Sequence, residues 1–87
     1  MKRIHALVVV DSFGVATIIG LIECDVFNRK RLHSLIKELL EHWLVHYDVS
    51  DETLNEYADE LLRESAVEDD NGNTYRMQWC IKMVSEE

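Results

Sequence analysis

The chain has 87 residues and a mass of 10.2 kDa, which is enough for one hydrophobic core and too little for two. Its composition, 47% hydrophobic and 30% charged, is that of a folded globular protein and excludes an intrinsically disordered tail. No run approaches the roughly 20 apolar residues of a membrane-spanning helix, and the N-terminus has no small-residue cleavage site. We therefore expect a single domain over residues 1–87, a cytoplasmic location and no membrane contact.

Cysteine and proline usage narrow the class of protein further. Cys24 and Cys80 lie 56 positions apart (80 − 24) and neither belongs to a C-x-x-C motif, which argues against a zinc ribbon or a redox pair. Because small cytosolic proteins are kept reduced, we expect two buried free thiols in strands that can be neighbours in one sheet. Proline is absent and only three glycines occur, so no flexible linker divides the chain.

The first elements in chain order are two strands. Residues 4–10 are β-branched and almost continuously apolar, and residues 15–24 repeat that character after a turn at 11–14. This pattern predicts a β-hairpin that is apolar on both faces, with helices covering one face and a partner chain the other. Gly20, inside the second strand, predicts a β-bulge or the close approach of a neighbouring residue.

Two helices follow the hairpin. Asn28 is a suitable N-cap for a helix over residues 29–47, whose apolar residues recur at steps of three and four. These residues are Leu32, Leu35, Ile36, Leu39, Leu40, Trp43, Leu44 and Tyr47. Ser50 is the expected cap of a second helix with the apolar stripe Leu54, Tyr57, Ala58, Leu61 and Leu62. The short loop between the helices predicts an antiparallel pair.

The C-terminal part returns to a strand pattern. An Asn-Gly turn signal at 71–72 separates a short strand at 66–68 from a longer one at 74–84. One face of the longer strand is expected to carry Tyr75, Met77, Trp79, Ile81 and Met83, and the other Arg76, Gln78, Cys80 and Lys82. The order β-β-α-α-β, with a sixth element if 66–68 is a strand, predicts an α+β fold. In this fold both helices pack on one face of an antiparallel sheet of three or four strands.

Negative charge is concentrated in one part of the chain. Residues 48–70 contain ten acids and one base, a net charge of −9 (−10 + 1), whereas the whole chain carries −8. On the second helix the acids lie opposite the apolar stripe. Glu52, Glu56, Glu60 and Glu64 follow at intervals of four, a spacing at which like charges weaken a helix by a few tenths of a kcal/mol.

This acidic surface suggests a function in protein binding. Carboxylates can occupy the positions where phosphates would lie on the basic, nucleic-acid-binding surface of another protein. The predicted contact residues are Glu52, Glu56, Asp59, Glu60, Glu64, Glu68, Asp69 and Asp70. Direct binding to nucleic acid is disfavoured, because phosphate contacts need a basic surface. The alternative is that the acids only keep the protein soluble.

Three cations at the start of the first helix are anomalous. Arg29, Lys30 and Arg31 oppose the helix dipole at this position. Pairing with nearby acids, including those of the second helix, would explain them structurally. The functional alternative is a second, basic contact site for an acidic partner or a duplex backbone.

Histidines offer the one enzymatic alternative. His42 and His46 are four residues apart on the first helix with Glu38 one turn earlier, which places three potential metal ligands on one edge. A zinc-protease helix would carry Glu directly after the first His, where this chain has Trp43. No further ligand at a fixed spacing from these three occurs, and the chain has no Gly-x-Ser-x-Gly motif or phosphate-binding glycine loop. We therefore expect no catalytic residue, metal or cofactor.

In length, acidity and lack of catalytic residues, the chain resembles phage-encoded inhibitors of host defence or of nucleic-acid enzymes. This resemblance is one of composition, and it assigns no residue a role. It implies an inhibitor that acts by occupying a partner's surface.

The competing interpretation is a structural homo-oligomer. Since two helices cover only one sheet face, we expect Leu7, Val9 and Ile18, or their neighbours, to be exposed. A homodimer with its two-fold axis through the sheet or its edge would shelter them. On the covered face we expect Trp43 to pack against the sheet, so that Trp43→Ala costs about 3–5 kcal/mol.

Overall fold

The structure, a computed structural model, describes residues 2–25 and 27–84. Its elements in chain order are β1 (Lys2–Val10), β2 (Ala16–Glu23), α1 (Arg29–Trp43), α2 (Asp51–Glu64), β3 (Ala66–Glu68) and β4 (Thr74–Val84). The strands form one antiparallel sheet in the order β2-β1-β4-β3. The predicted α+β fold is confirmed, and residues 66–68 supply its fourth strand.

The two hairpin strands are joined by a turn that Asp11 organises. Its Oδ1 accepts hydrogen bonds from the backbone N–H groups of Phe13 and Val15, each over 2.9 Å. Such side-chain to backbone bonds are the reason that Asp is favoured in turns. Gly14 follows with a φ of +82°, in the left-handed region that glycine adopts without strain.

A β-bulge in β2 changes which residues share a face. Leu7 pairs with Gly20 and Val8 pairs with Ile18, so the extra residue on β2 is Ile19. A side chain at Gly20 would collide with the methyl groups of Leu39 on α1, which packs closely against β2 here. Both parts of the prediction for Gly20 are therefore confirmed.

The hydrophobic core lies between the sheet and the two helices. The sheet contributes the buried residues Leu7, Val9, Ile22, Tyr75 and Met77, and Cys24, directly after β2, joins them. The helices contribute Leu32, Ile36, Leu40, Leu54, Ala58 and Leu61. Burying each of the larger aliphatic side chains contributes roughly 1.5–3 kcal/mol relative to leaving it in water. This cluster fixes the helix pair on one face of the sheet.

The first helix is shorter than predicted. It ends at Trp43, and the N–H of its C-cap Leu44 bonds to the Leu40 carbonyl over 2.9 Å. Trp43 is 42% exposed, so the prediction that it packs against the sheet as a buried aromatic residue is wrong. Tyr47, which belongs to the same apolar periodicity, is exposed as well. The reason is that the helix stops at Trp43, while Leu40 and Leu44 fill the core at this end. Neither α1 nor α2, the helices of the described ranges, is long and apolar enough to cross a membrane.

The open face, which we define as the sheet face opposite the helices, differs from the expectation in two residues. Leu7 and Val9 are buried, because the odd-numbered residues of β1 in this stretch point towards the helices. The open face carries the even-numbered residues of β1 instead, namely Ile4, Ala6, Val8 and Val10. Ile18, predicted to be exposed, is exposed, and the bulge brings Leu21 to the same face.

A second irregularity interrupts β4. Ile4 pairs with Lys82 and Ala6 pairs with Gln78, so β4 has two more residues than β1 between these pairs. Ile81 is exposed as a result, although strict alternation assigns it to the buried face with Tyr75 and Met77. Alternation assigns Met83 to the same buried face, but its side chain lies outside the described part of the structure.

The two cysteines are free, but they are neither both buried nor neighbours. Cys24 is buried, whereas Cys80 lies in the irregular part of β4 and is exposed. Strand β1 separates β4 from β2, which Cys24 follows directly. The expectation of two buried thiols in neighbouring strands is therefore wrong for Cys80.

Candidate functional site

The second helix presents acids because its apolar residues are all on one side. Leu54, Ala58 and Leu61 are buried against the core, so the residues opposite them face water. The side chain of Ser50 caps the helix by accepting a hydrogen bond from the N–H of Thr53 over 3.1 Å. Asp51 in the first turn adds negative charge where the helix dipole favours it.

One flank of α2 is paired with α1. Asp51 Oδ1 lies 2.6 Å from Lys37 Nζ, and Asp59 Oδ1 lies 3.0 Å from His33 Nε2. The order of these contacts along the two helices confirms that they run antiparallel. Asp59, a predicted contact residue, is exposed but also helps to join α2 to α1.

Glu60 and Glu64 share a cation within the same helix. Arg63 Nη2 lies 2.5 Å from Glu60 Oε2, and Arg63 Nε lies 3.6 Å from Glu64 Oε1. Pairs of this kind on a surface contribute little to stability. They do reduce the net charge of the three residues to −1, so the C-terminal half of α2 is less acidic than its Glu content suggests.

Glu52 and Glu56 carry the unpaired charge of the helix. Both are exposed, and neither is in an ion pair within residues 2–25 and 27–84. They lie one turn apart on the outward side, about 6 Å along the helix axis. They are therefore the α2 carboxylates most available to a partner.

The β3–β4 loop folds back beside the first half of α2. An open cleft of about 410 Å³ separates the loop from the helix, and its lining includes Tyr47, Asp48, Tyr57, Asp69 and Asp70. Burial, followed by the charges of Asp69, Asp70 and Glu56, raises the pKa of the Tyr57 phenol. The loop acids and Glu56 thus act on the same small region of the surface.

Asp69 organises this loop. Its Oδ1 accepts the backbone N–H groups of Asn71 and Asn73, and its Oδ2 accepts the Tyr75 hydroxyl over 2.8 Å. Burial alone would raise the pKa of Asp69, but the hydrogen bonds from Asn73, Tyr75 and Asn71 outweigh it and hold the pKa below its usual value. Burial and the bond to Asp69 in turn raise the pKa of Tyr75 well above its usual range. Asp70, by contrast, is exposed.

The structure does not bring all the predicted contact residues together. Glu68 pairs with Thr74 on β4. Its neighbour Val67 packs on the core, and because side chains alternate along a strand, Glu68 points to the open face of the sheet. It therefore lies on the other side of the molecule from the acids of α2. We define the acidic face as Glu52, Glu56, Asp59, Glu60, Glu64, Asp69 and Asp70.

Sequence reasoning missed the two tyrosines of the cleft. The helical periodicity places Tyr57 in the buried apolar stripe, but in the structure it is only partly buried and stacks on Tyr75 with 6.0 Å between ring centroids. The same periodicity places Tyr47 in the first helix, but α1 ends before it. Their position at the edge of the apolar pattern was the only available signal, and it does not distinguish a core residue from the wall of a cleft.

Arg29, the first of the three cations at the start of α1, has a structural role. Arg29 Nη2 donates a hydrogen bond to the backbone carbonyl of Leu62 over 2.8 Å. This carbonyl is one of the last four of α2, which have no partner within the helix. The hydrogen bond to the second helix therefore accounts for Arg29, although all three cations are exposed.

The histidines of the enzymatic alternative lie on the surface. His42 and His46 are exposed, and His46 lies beyond the end of α1. Within residues 2–25 and 27–84, no three His, Cys, Asp or Glu side chains are grouped so that they could hold a metal ion.

Comparison with known protein families, curated proteins and solved structures found no match.

Proposed function

We propose that this chain is a non-enzymatic binding protein that occupies a basic, nucleic-acid-binding surface of another protein through its acidic face. The observation that carries the proposal is the set of exposed carboxylates around the first half of α2. Glu52 and Glu56 have no ion-pair partner among the described residues, and Asp70 extends their charge across the cleft. Oriented negative charge of this kind accelerates association with a basic partner.

Two further features support an inhibitor-like role. Glu52 and Glu56 follow at like-charge spacing on the outward side of α2, opposite its buried residues, so their charge adds nothing to the packing of the helix on the core. The loop that carries Asp69 and Asp70 is held by four hydrogen bonds to the Asp69 carboxylate, which orders it before any partner binds. Preorganised contacts lose less conformational entropy on binding.

A matched pair of charge reversals tests the proposal. Glu52→Lys/Glu56→Lys reverses two exposed carboxylates on the acidic face, and Glu38→Lys/Glu41→Lys reverses two exposed carboxylates on α1. The two variants have the same net charge. The free energy of unfolding of each should lie within about 1 kcal/mol of the wild-type value. Proteins from the source cell would be captured on each immobilised variant at low salt, with duplex DNA added as a competitor.

The expected result is a captured protein that the wild type and the α1 variant retain and the acidic-face variant loses. Duplex DNA should displace it, because DNA and the acidic face would compete for one basic surface, and added salt should weaken the complex. If the acidic-face variant retains the same protein as strongly as the wild type, the acids serve solubility only.

A further inference from the structure

The open face of the sheet is divided into an apolar half and a polar half. The apolar half consists of Ile4, Ala6, Val8 and Val10 on β1 and Ala16, Ile18 and Leu21 on β2. The polar half consists of Thr74, Arg76, Gln78 and Lys82 on β4. Ile18 and Leu21 are 62% and 61% exposed, and Val8 and Val10 are only partly buried. The small Ala6, which lies between Leu21 and Gln78 in one cross-strand row, is buried, so the larger side chains around it form the surface. A contiguous apolar surface of this kind is typical of an interface.

The open face also differs from the rest of the chain in charge. Its described charged side chains are Glu23, Glu68, Arg76 and Lys82, which sum to zero (−2 + 2), whereas the whole chain carries −8. Two copies that approached through their helix layers would repel each other through the acids of α2. Two open faces do not repel each other in this way, because each carries two described charges of each sign.

We propose that the open face is covered by a second copy of this chain, related by a two-fold axis that runs along β1. In this arrangement the apolar rows of the two β1 strands pack on each other, and β2 of one protomer lies over β4 of its partner. Ile18 and Leu21 then cover the aliphatic parts of the partner's Arg76 and the partner's Gln78, which are in the same cross-strand rows.

Charge complementarity selects this arrangement. Glu23 and Lys82 both pair with Ile4, one on each side of β1, so they are in one row across the sheet. Rotation about an axis along β1 exchanges the two ends of the row and brings Glu23 to the partner's Lys82. Because the symmetry repeats the contact, each dimer contains two such pairs.

The dimer would have four layers, with the helices on the two outer surfaces. The acidic faces would then point in opposite directions, and one dimer would bind two basic surfaces. This last consequence depends on the proposed function, whereas the dimer itself does not. Glu52 and Glu56 lie on α2, away from the interface, so the variants that test the two proposals are independent.

Sedimentation equilibrium of the full chain at tens of micromolar tests the dimer. The wild type should have the mass of two chains. Ile18→Lys/Leu21→Lys should have the mass of one chain and an unchanged circular dichroism spectrum, because both side chains are exposed in the single chain. Phe13→Lys is the control, since Phe13 is 91% exposed but belongs to the turn between β1 and β2, and this variant should remain dimeric.

A charge swap distinguishes the open face from pairing at the edge of β2. Glu23→Lys and Lys82→Glu should each weaken association by about tenfold, and the double variant should restore it. If the β2 edges paired instead, Lys82, two strands away, would have no effect. A monomeric wild type, a dimer that tolerates Ile18→Lys/Leu21→Lys, or a double swap that restores nothing would each overturn the proposal.

Discussion

The backbone N–H of Cys80 donates a hydrogen bond to Nδ1 of the buried His5 over 2.9 Å. Because a backbone amide can only donate, Nδ1 holds the lone pair and Nε2 carries the proton, which it donates to the Cys24 carbonyl over 2.9 Å. Cys80 has a φ of +55°, which residues other than glycine rarely adopt. His5 on β1 therefore connects the irregular segment of β4 to the residue that follows β2.

Removing the His5 ring should destabilise the protein strongly. His5→Ala leaves the Cys80 amide and the Cys24 carbonyl without their partner and opens a cavity beside Trp79, whose ring lies 5.1 Å from His5. We expect a loss of about 2–4 kcal/mol in the free energy of unfolding, measured by urea denaturation. His46→Ala, at an exposed position, is the control and should change it by less than about 0.5 kcal/mol. Equal midpoints for the two variants would mean that these hydrogen bonds do not stabilise the fold.

The sequence predicted the elements of this fold well because their signals are local. The steps of three and four in α1 and α2, the caps Asn28 and Ser50, and the Asn-Gly turn before β4 each depend on a few adjacent residues. The face of each strand was harder to predict. An extra residue such as Ile19 reverses the alternation after it, and its presence depends on how β1 and β2 pair.

The same limit applies to the acidic face. Periodicity correctly placed the acids of α2 opposite the core. It could not predict that Asp59 meets His33 or that Asp51 meets Lys37, because these contacts depend on how the helices pack. Nor could it place Glu68 on the opposite side of the molecule, since its orientation follows from its pairing with Thr74.

Trp43 should contribute little to stability despite its size. Its side chain is 42% exposed at the end of α1, whereas Leu40 on the same helix is fully buried. Trp43→Ala should therefore cost about 1 kcal/mol, and Leu40→Ala about 2–5 kcal/mol, in thermal or urea unfolding. A cost for Trp43→Ala as large as that for Leu40→Ala would mean that the tryptophan packs in the core.

The two thiols should differ in reactivity. Cys80 is exposed and Cys24 is buried in the core, so a thiol reagent in excess should modify one sulfur per folded chain quickly. The second sulfur should react only as fast as the protein unfolds. Cys80→Ser is expected to remove the fast phase and Cys24→Ser the slow phase. Two fast phases in the wild type would show that the segment after β2 opens readily.

Asp69 should make the stability of the protein sensitive to acid. Its pKa in the folded chain is held below the usual value of 3.8, so its contribution is fully present above that value and is lost as the pH falls through the folded pKa. At neutral pH, Asp69→Ala should cost about 1–3 kcal/mol, because the N–H groups of Asn71 and Asn73 and the Tyr75 hydroxyl lose their acceptor. Asp70→Ala is the matched control in the same loop and should have little effect. Urea unfolding at several pH values should show the difference between the wild type and Asp69→Ala shrinking as the pH falls below 3.8, the usual pKa of Asp. A difference that stays constant with pH would contradict this role for the carboxylate.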